Sequence, residues 1–469
     1  MPDKRKIFQN IITLFFSEFA NKGIIFFSAM YMLRTIQPEG NGIMAFSSSY
    51  FTFFLLFVVF AFNTVGTREI AQNQSLIKEY TDTIISTRIL LAIVFYSAYV
   101  SILFSMDIST EKRIYTLIAG IALFANAINL DWVFQGLQNM KVLAVRQVMT
   151  SLLTLFGYII FVHSLDDIYT AAIISTGSNL INVIWLFAYY QKKQCRYSFA
   201  IDKNLLIKIL KSAIPLSIYT FAVSMLSQAN VIIMEHYDIS EAQVGIFNSC
   251  YKIEQFALIP SAIVQVAFYP VMACISDIKE RTRVFRKYVT LNLLGGFLAT
   301  SLIFTLPEFV ISIVAGEKYI SAVPVLKVYI LSAVLAYANT SISPVLIAWN
   351  MEKKVMYSCL IGSIFSLVAN FIFIKYDGIM GAAYATLVGE FSISCCLGVA
   401  LFKVLKITII PQIIRTGITG LATGFVGYLL VRSGIHSVVN LFAMVFVFAS
   451  TAFLFKTVSI DDFRGLIKR

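Results

Sequence analysis

The sequence predicts an all-α polytopic membrane protein of about fourteen transmembrane helices. Three observations predict it: the composition, long runs apolar on every face, and basic residues gathered on alternate loops. Of the 469 residues 58% are hydrophobic and only 13% charged, with a mean hydropathy of +0.80, too little polar surface to cover a soluble domain of this size. Residues 50–62, 89–106 and 361–374 carry no polar stripe, and several such runs reach the roughly 20 residues that span a bilayer. The alternation of a barrel strand is missing, so the backbone must pair with itself in helices.

The first residues, MPDKRK, are basic, but the apolar stretch that follows runs on to Leu33 without a small-residue cleavage site, so it reads as a retained first helix. Helices are expected near 7–33, 41–64, 84–106, 114–138, 145–163, 168–190 and 209–234. Seven more are expected near 244–274, 288–314, 323–349, 355–375, 379–402, 411–431 and 437–456. With the N-terminus inside, Arg34, Lys112, Arg113, Lys318, Lys327, Lys375 and Arg432 fall outside and Lys22 and Lys252 within spans, leaving 28 of the 37 basic residues on internal loops. That asymmetry places both termini on the cytoplasmic side of a multi-pass protein.

The longest loop, residues 191–208, is about 18 residues, too short for a folded catalytic domain, so the chain is expected not to be an enzyme. The net charge of +12 is scattered over many loops, which argues against a nucleic-acid partner and points to membrane lipid. Cys250, Cys274, Cys359, Cys395 and Cys396 sit in apolar segments and Cys195 in a lysine-rich loop, without metal-ligand spacing. His163, His236 and His436 are far apart, so no metal site is expected. No Walker-type loop is present, and no cofactor is expected.

Pro38-Glu39-Gly40-Asn41-Gly42-Ile43, opening the second helix, can be laid over Ser240-Glu241-Ala242-Gln243-Val244-Gly245-Ile246, opening the eighth, at an offset of about 203 residues. Six helices separate the copies, so both halves run in the same direction across the membrane. The expected organisation is an N-lobe at 1–200 (helices 1–6), a C-lobe at 201–406 (helices 7–12), and two additional helices with a cytoplasmic tail at 407–469.

Asp131-Trp132-Val133-Phe134-Gln135-Gly136 resembles the D-W-x-F-Q-G signature of Wzx-like O-antigen and polysaccharide flippases of the MOP (multidrug/oligosaccharidyl-lipid/polysaccharide) exporter superfamily. Gly66-Thr67-Arg68-Glu69-Ile70-Ala71, Val244-Gly245-Ile246-Phe247 with Tyr251-Lys252-Ile253, and Tyr269-Pro270 are similar to further elements of that group. Helix seven departs from it, reading Gln228-Ala229-Asn230 where many relatives are acidic, and two helices extend beyond the commoner twelve. The resemblance implies a V-shaped bundle of two lobes in pseudo-twofold repeat around a polar cavity, in the bacterial cytoplasmic (inner) membrane. It implies translocation of undecaprenyl-diphosphate-linked oligosaccharide repeat units to the periplasmic leaflet by alternating access. A polysaccharide polymerase and a chain-length regulator are implied as partners.

Charged side chains in mid-helix are unfavourable by about 2.5–3.5 kcal/mol and normally face a cavity or a partner. Lys22, with Asn21 beside it, and Lys252 are the candidates for holding the diphosphate and headgroup. The alternative is that Lys22 neutralises Glu18 one turn away and Lys252 reaches to the interface. Glu18, Glu254 and Glu390 are candidates for proton or sodium coupling, against plain salt bridges or, for Glu390, a hydrogen bond across a small-residue interface. Arg68, Asp131, Trp132 and Gln135 form a candidate cytoplasmic gate, with Arg68 or Arg146 as partner of Asp131 and Trp132 as an interfacial anchor. A cation-coupled drug antiporter of the same superfamily is the first rival, and a membrane-embedded glycosyltransferase or ligase the second.

Overall fold

A computed structural model of the chain describes residues 4–275 and 277–455, without the side chains of 4–18, 266, 267, 269–271, 273, 274, 278, 404 and 405. The described residues form eighteen α-helices and three short 3-10 turns, with no strand among them. Eleven helical stretches are long and apolar enough to cross a membrane. Two of these each hold two passes. In α1 (Lys4–Val59), residues 19–59 would extend about 60 Å at 1.5 Å per residue, twice a hydrocarbon core of about 30 Å. The helix breaks at Gln37 (φ 61°, ψ −177°), just before Pro38. In α16 (Glu352–Leu405) the break is at Gly378 (φ 55°, ψ −129°), and a Cβ at Gly381 would stand 2.1 Å from the Phe373 carbonyl oxygen. With one further pass built from α10 (Glu241–Ala257) and α11 (Ile259–Cys274), the described residues make the fourteen expected.

The chain divides into two compact units, Met1–Gly245 and Ile246–Arg469, with the division inside α10. The first holds α1, α2 (Phe62–Gln72), α3 (Ile77–Ser105), α4 (Thr110–Gly120), α5 (Ala122–Ala127), α6 (Asp131–Gly136), α7 (Met140–Phe161), α8 (Ile168–Lys193) and α9 (Lys203–His236). The second continues through α12 (Ile278–Thr305), α13 (Pro307–Val314), α14 (Val323–Tyr329), α15 (Leu331–Ala348), α16, α17 (Ile410–Arg432) and α18 (Ser437–Leu454).

Several expected helices are broken. The second stops at Val59 because Phe60 (φ 42°) and Ala61 (φ 52°) are left-handed, so α2 starts on a new axis. The fourth is divided into α4, α5 and α6. The eighth and ninth break where Pro260 and Pro307 open new helices, positions at which a missing N–H removes no intrahelical bond.

In the first unit, α7 packs along α1, with Met32, Ile36, Tyr158 and Val162 buried together and Tyr31 Oη donating to the Val162 carbonyl at 2.6 Å. The connection from α8 to α9 is tied to α3. The Asp82 carboxylate accepts from Lys78 Nζ (2.8 Å), Ser198 N (3.0 Å) and Ser198 Oγ (2.7 Å), and Ser86 and Tyr197 share a hydroxyl hydrogen bond of 2.9 Å.

The two sequence segments that repeat also meet. A Cβ at Gly42 would lie 1.9 Å from the Glu241 carbonyl oxygen, and one at Gly245 1.8 Å from that of Pro38. Under the 203-residue offset, Pro38 corresponds to Glu241 and Gly42 to Gly245, so the contact is reciprocal, as at a two-fold axis. Asn41 Nδ2 adds a hydrogen bond to the Gly245 carbonyl at 2.7 Å.

In the second unit, α17 packs on α12 through glycine. Gly420 faces Phe297, with a Cβ there only 3.0 Å from the Phe297 side chain, and Ser301 Oγ donates to the Gly420 carbonyl at 2.9 Å. Small residues permit this close approach, which in lipid supplies packing that the hydrophobic effect does not.

Candidate functional site

The glycine-threonine-arginine element of α2 and the D-W-x-F-Q-G element of α6 are two sides of one contact. Trp132 is 1% exposed, and a Cβ at Gly66 would come within 2.3 Å of its ring. Thr67 Oγ1 donates to the Trp132 carbonyl at 3.1 Å, while Gly136 lies against Ile70 and the Thr67 carbonyl. Phe62, Val65, Ile70, Tyr80, Phe134 and Ile209 complete the buried cluster around them. Trp132 is therefore a core residue and not the interfacial anchor expected; an apolar glycine-lined slot in protein replaces the headgroup region as its environment.

Asp131 is paired with Arg146 of α7, not with Arg68. Arg146 Nη1 also donates to Asn182 Oδ1 (2.5 Å), and Asn182 Nδ2 donates to the Arg146 carbonyl (3.0 Å), so the guanidinium joins α6, α7 and α8. Arg68 is exposed and pairs with Glu69 at 3.0 Å; Gln135 is exposed as well. Glu69 also accepts from Tyr80 Oη at 3.1 Å and lies 3.6 Å from Lys208 Nζ on α9. Partial burial pulls the Glu69 carboxyl up, but hydrogen bonds from Arg68 and Tyr80 and the charge of Lys208 outweigh it and hold it below its ordinary value. Of the four candidate gate residues, Trp132 is buried, Asp131 is partly buried in an ion pair, and Arg68 and Gln135 are open to solvent or headgroups.

Among the candidates for the headgroup, Lys22 is exposed on α1, and Asn21 accepts from Ser151 Oγ of α7. Lys252 is half-buried on the part of α10 that belongs to the second unit. The side chains of Glu18, Tyr269 and Pro270 lie outside the described residues.

Glu254 and Glu390 belong to one buried polar set in the second unit. Glu254, 5% exposed, accepts from Ser332 Oγ at 2.6 Å. Glu390 Oε2 accepts from Asn339 Nδ2 at 2.7 Å, and Ser394 Oγ donates to Asn339 Oδ1 at 2.8 Å. Both carboxyls are thus bonded to α15, one at Ser332 and the other at Asn339. The hydrogen bond expected for Glu390 across a helix interface is present, with Ala382, Ala383 and Ala385 fully buried beside it in α16.

Sequence reasoning missed two buried cations. Lys112, assigned to an external loop, has a side chain 6% exposed and bridges Glu235 of α9 (2.9 Å) and Glu241 of α10 (3.3 Å). Arg88, assigned to an internal loop, is fully buried in α3, where Nη2 donates to Asn63 Oδ1 (2.8 Å) and the Val59 carbonyl (3.4 Å) at the break between α1 and α2. Partners lying 123 residues or more from Lys112 in the chain leave no local spacing signal. The acidic pair Asp166-Asp167, assigned to an external loop, has a structural use: Asp167 closes a capping box with Ser164 and accepts from the His163 and Ser164 backbone N–H groups. Among the described residues no group of three His, Cys, Asp or Glu could hold a metal.

Fourteen helical passes with buried ionisable residues define a multi-pass membrane protein, and its fold is that of solved MOP superfamily transporters. The family model described as "Polysaccharide biosynthesis protein" matches residues 7–276, more than half of the chain, and the chain belongs to that family. It is 25% identical over 399 residues to a "Putative O-antigen transporter" of Escherichia coli (strain K12), covering 83% of this chain and 95% of that protein. A protein of the same description from Shigella dysenteriae is 26% identical over 396 residues, covering 81% and 96%. Among solved structures, the lipid II flippase MurJ in an inward closed conformation matches with a TM-score of 0.71 at 17% identity, over 97% of this chain and 99% of that one. An inward-facing multidrug resistance MATE family transporter matches with a TM-score of 0.61 at 15% identity, over 86% and 95%.

Proposed function

We propose that the chain is a flippase that carries undecaprenyl-diphosphate-linked oligosaccharide repeat units from the cytoplasmic to the periplasmic leaflet, for O-antigen or a related surface polysaccharide. The observation that carries this reading is the extent of the likeness. The relatives named as O-antigen transporters are matched over 95% and 96% of their length, and the lipid II flippase over 97% of this chain, against 86% for the multidrug transporter. That difference favours a lipid-linked cargo over a drug antiporter. The capping role of Asp167 gives a structural use to one member of the acidic pair that a glycosyltransferase or ligase reading would need, which weighs against that reading.

In this account the chain sits in the inner membrane with both termini in the cytoplasm. Lys22 and Asn21 on α1 and Lys252 on α10 attract the diphosphate and headgroup, while the lipid tail stays in the bilayer. Exposed Arg68 and Gln135 meet the cargo at the cytoplasmic entrance. Moving an anionic headgroup outward is downhill by about 2.3 kcal/mol per charge per 100 mV of inside-negative potential. Two charges give about 4–5 kcal/mol on the same relation. Glu254 and Glu390 are the candidates for adding proton or sodium antiport. A polymerase and a chain-length regulator would act on the product outside.

The test is polysaccharide export in cells deleted for their own copy, complemented by wild type, Lys22→Ala or Lys252→Ala at matched membrane expression. Loss of surface polymer with lipid-linked repeat units held at the cytoplasmic face is expected for the deletion and, more mildly, for each lysine variant. Normal export without any copy would remove the reading; normal export by both variants would remove the lysines from the path.

A further inference from the structure

The geometry points to an ionic latch built from Lys112, Glu235 and Glu241 that locks α9 and the start of α10 onto α1 and α4 at the end of the first unit predicted to face outside, and that must open once in each transport cycle. The inference rests on the alternating-access reading above.

The latch stands on three observations. Lys112 Nζ lies 2.9 Å from both carboxylate oxygens of Glu235 and 3.3 Å from Glu241, with a side chain only 6% exposed. Ser109 Oγ donates to the same Glu241 oxygen, Oε1, at 3.1 Å, and the ammonium lies 5.2 Å from the centre of the Phe46 ring on α1. Four helices therefore converge on one ammonium. All the carboxylates come from the α9–α10 side, and the cation and aromatic from α4 and α1.

The surroundings show what the latch closes. Beside it run the reciprocal glycine contacts, Gly42 on Glu241 and Gly245 on Pro38, and the hydrogen bonds from Asn41 to the Gly245 carbonyl and from Ser49 Oγ to Gln228 Oε1 at 2.8 Å. These neighbours are close backbone packing and neutral hydrogen bonds, with no charge among them. The ion cluster differs: a charge removed from water and matched by two carboxylates in a fixed geometry favours one docked position, and separation leaves all three groups to find water. An outward-open state supplies that water, because parting α9 from α1 exposes the seam to the aqueous phase. The latch thus sets how often the outer end opens, without touching the cargo.

The test uses the full chain in cells, with Ser49→Cys as reporter and a membrane-impermeant maleimide added outside. Ser49 is 2% exposed and lies on the seam, so it is protected while the seam is closed. Labelling is scored above that of the same chain without Ser49→Cys. In the reporter background, Lys112→Ala and Lys112→Glu are expected to raise labelling at least several-fold, and Lys112→Glu with Glu235→Lys to bring it back toward the starting value. Restoration by the charge-swapped pair shows that the single variants opened the seam and did not misfold. Equal labelling in all variants, or no recovery in the swapped pair, overturns the latch. Because labelling needs no cargo, this outcome is independent of whether the chain carries lipid-linked sugars, which the export assay decides.

Discussion

The indole of Trp132 occupies the space that any side chain at Gly66 would need: a Cβ there would stand 2.3 Å from Cε3 and 2.4 Å from Cζ3. Two sequence elements 65 residues apart are thereby one contact, and the Thr67 hydroxyl fixes its register. Gly66→Ala should destabilise the protein by about 1–3 kcal/mol through overpacking. Trp132→Leu in the same chain should recover part of that loss, because the two sites share one volume. Thermal unfolding in detergent, read by a conformational probe, measures the coupling; additive losses would show that the two residues do not share a slot.

Gly245 and Gly42 should be less tolerant still, since each faces a backbone carbonyl and not a movable side chain, at 1.8 Å and 1.9 Å from an added Cβ. Gly245→Val is expected to force α10 away from Pro38 and raise outside labelling at Ser49→Cys. Gly417→Ala, whose added Cβ would meet Phe297 at an ordinary 3.4 Å, should be near neutral in the same assay.

Arg146 holds Asp131 and Asn182 with two separate nitrogens. Arg146→Ala strands a largely buried carboxylate and should cost on the order of 3 kcal/mol, the low end for a broken buried pair because the Asp131 side chain keeps 24% exposure. Arg146→Lys, a single-point donor, should recover only part of it. Removing both partners, with Asp131→Asn added to Arg146→Ala, should be milder than Arg146→Ala alone. The melting temperatures of the three variants order these effects.

Glu69 ties α2 to α3 and α9 through Tyr80 and Lys208, and its carboxyl is held below its ordinary value. A group with a lowered folded pKa stabilises fully above its unfolded pKa, about 4.3, and that stability is lost as pH falls through the lower folded value. The difference in melting temperature between wild type and Glu69→Gln should therefore be flat from about pH 6 to 8 and shrink only below about 4.3. A difference that shrank near neutrality would mean that another group controls the tie.

Much of the fold was legible because the bilayer imposes a simple rule: apolar runs of spanning length, with basic residues on alternate loops. Breaks inside the passes were harder to see. Pro260 and Pro307 mark two of them, but Phe60 and Ala61 adopt left-handed backbone without a sequence sign, so the helix through Val59 was expected to run on. At the site, motif residues were found by type while their environments were not. Trp132 at a helix end reads as interfacial until Gly66 is seen beneath it, and Lys112 reads as a loop charge until α9 and α10 fold back on it. Local periodicity cannot encode partners more than a hundred residues away.

The most direct test of the central claim is transfer by the purified chain in proteoliposomes containing undecaprenyl-diphosphate-linked oligosaccharide, with sugar accessibility to a soluble glycosidase as readout. The account predicts faster loss of protected, inner-leaflet sugar in liposomes containing the chain than in empty ones, accelerated by a membrane potential of the driving sign and slowed by Lys22→Ala. Equal rates with and without the chain, at any potential, would contradict it.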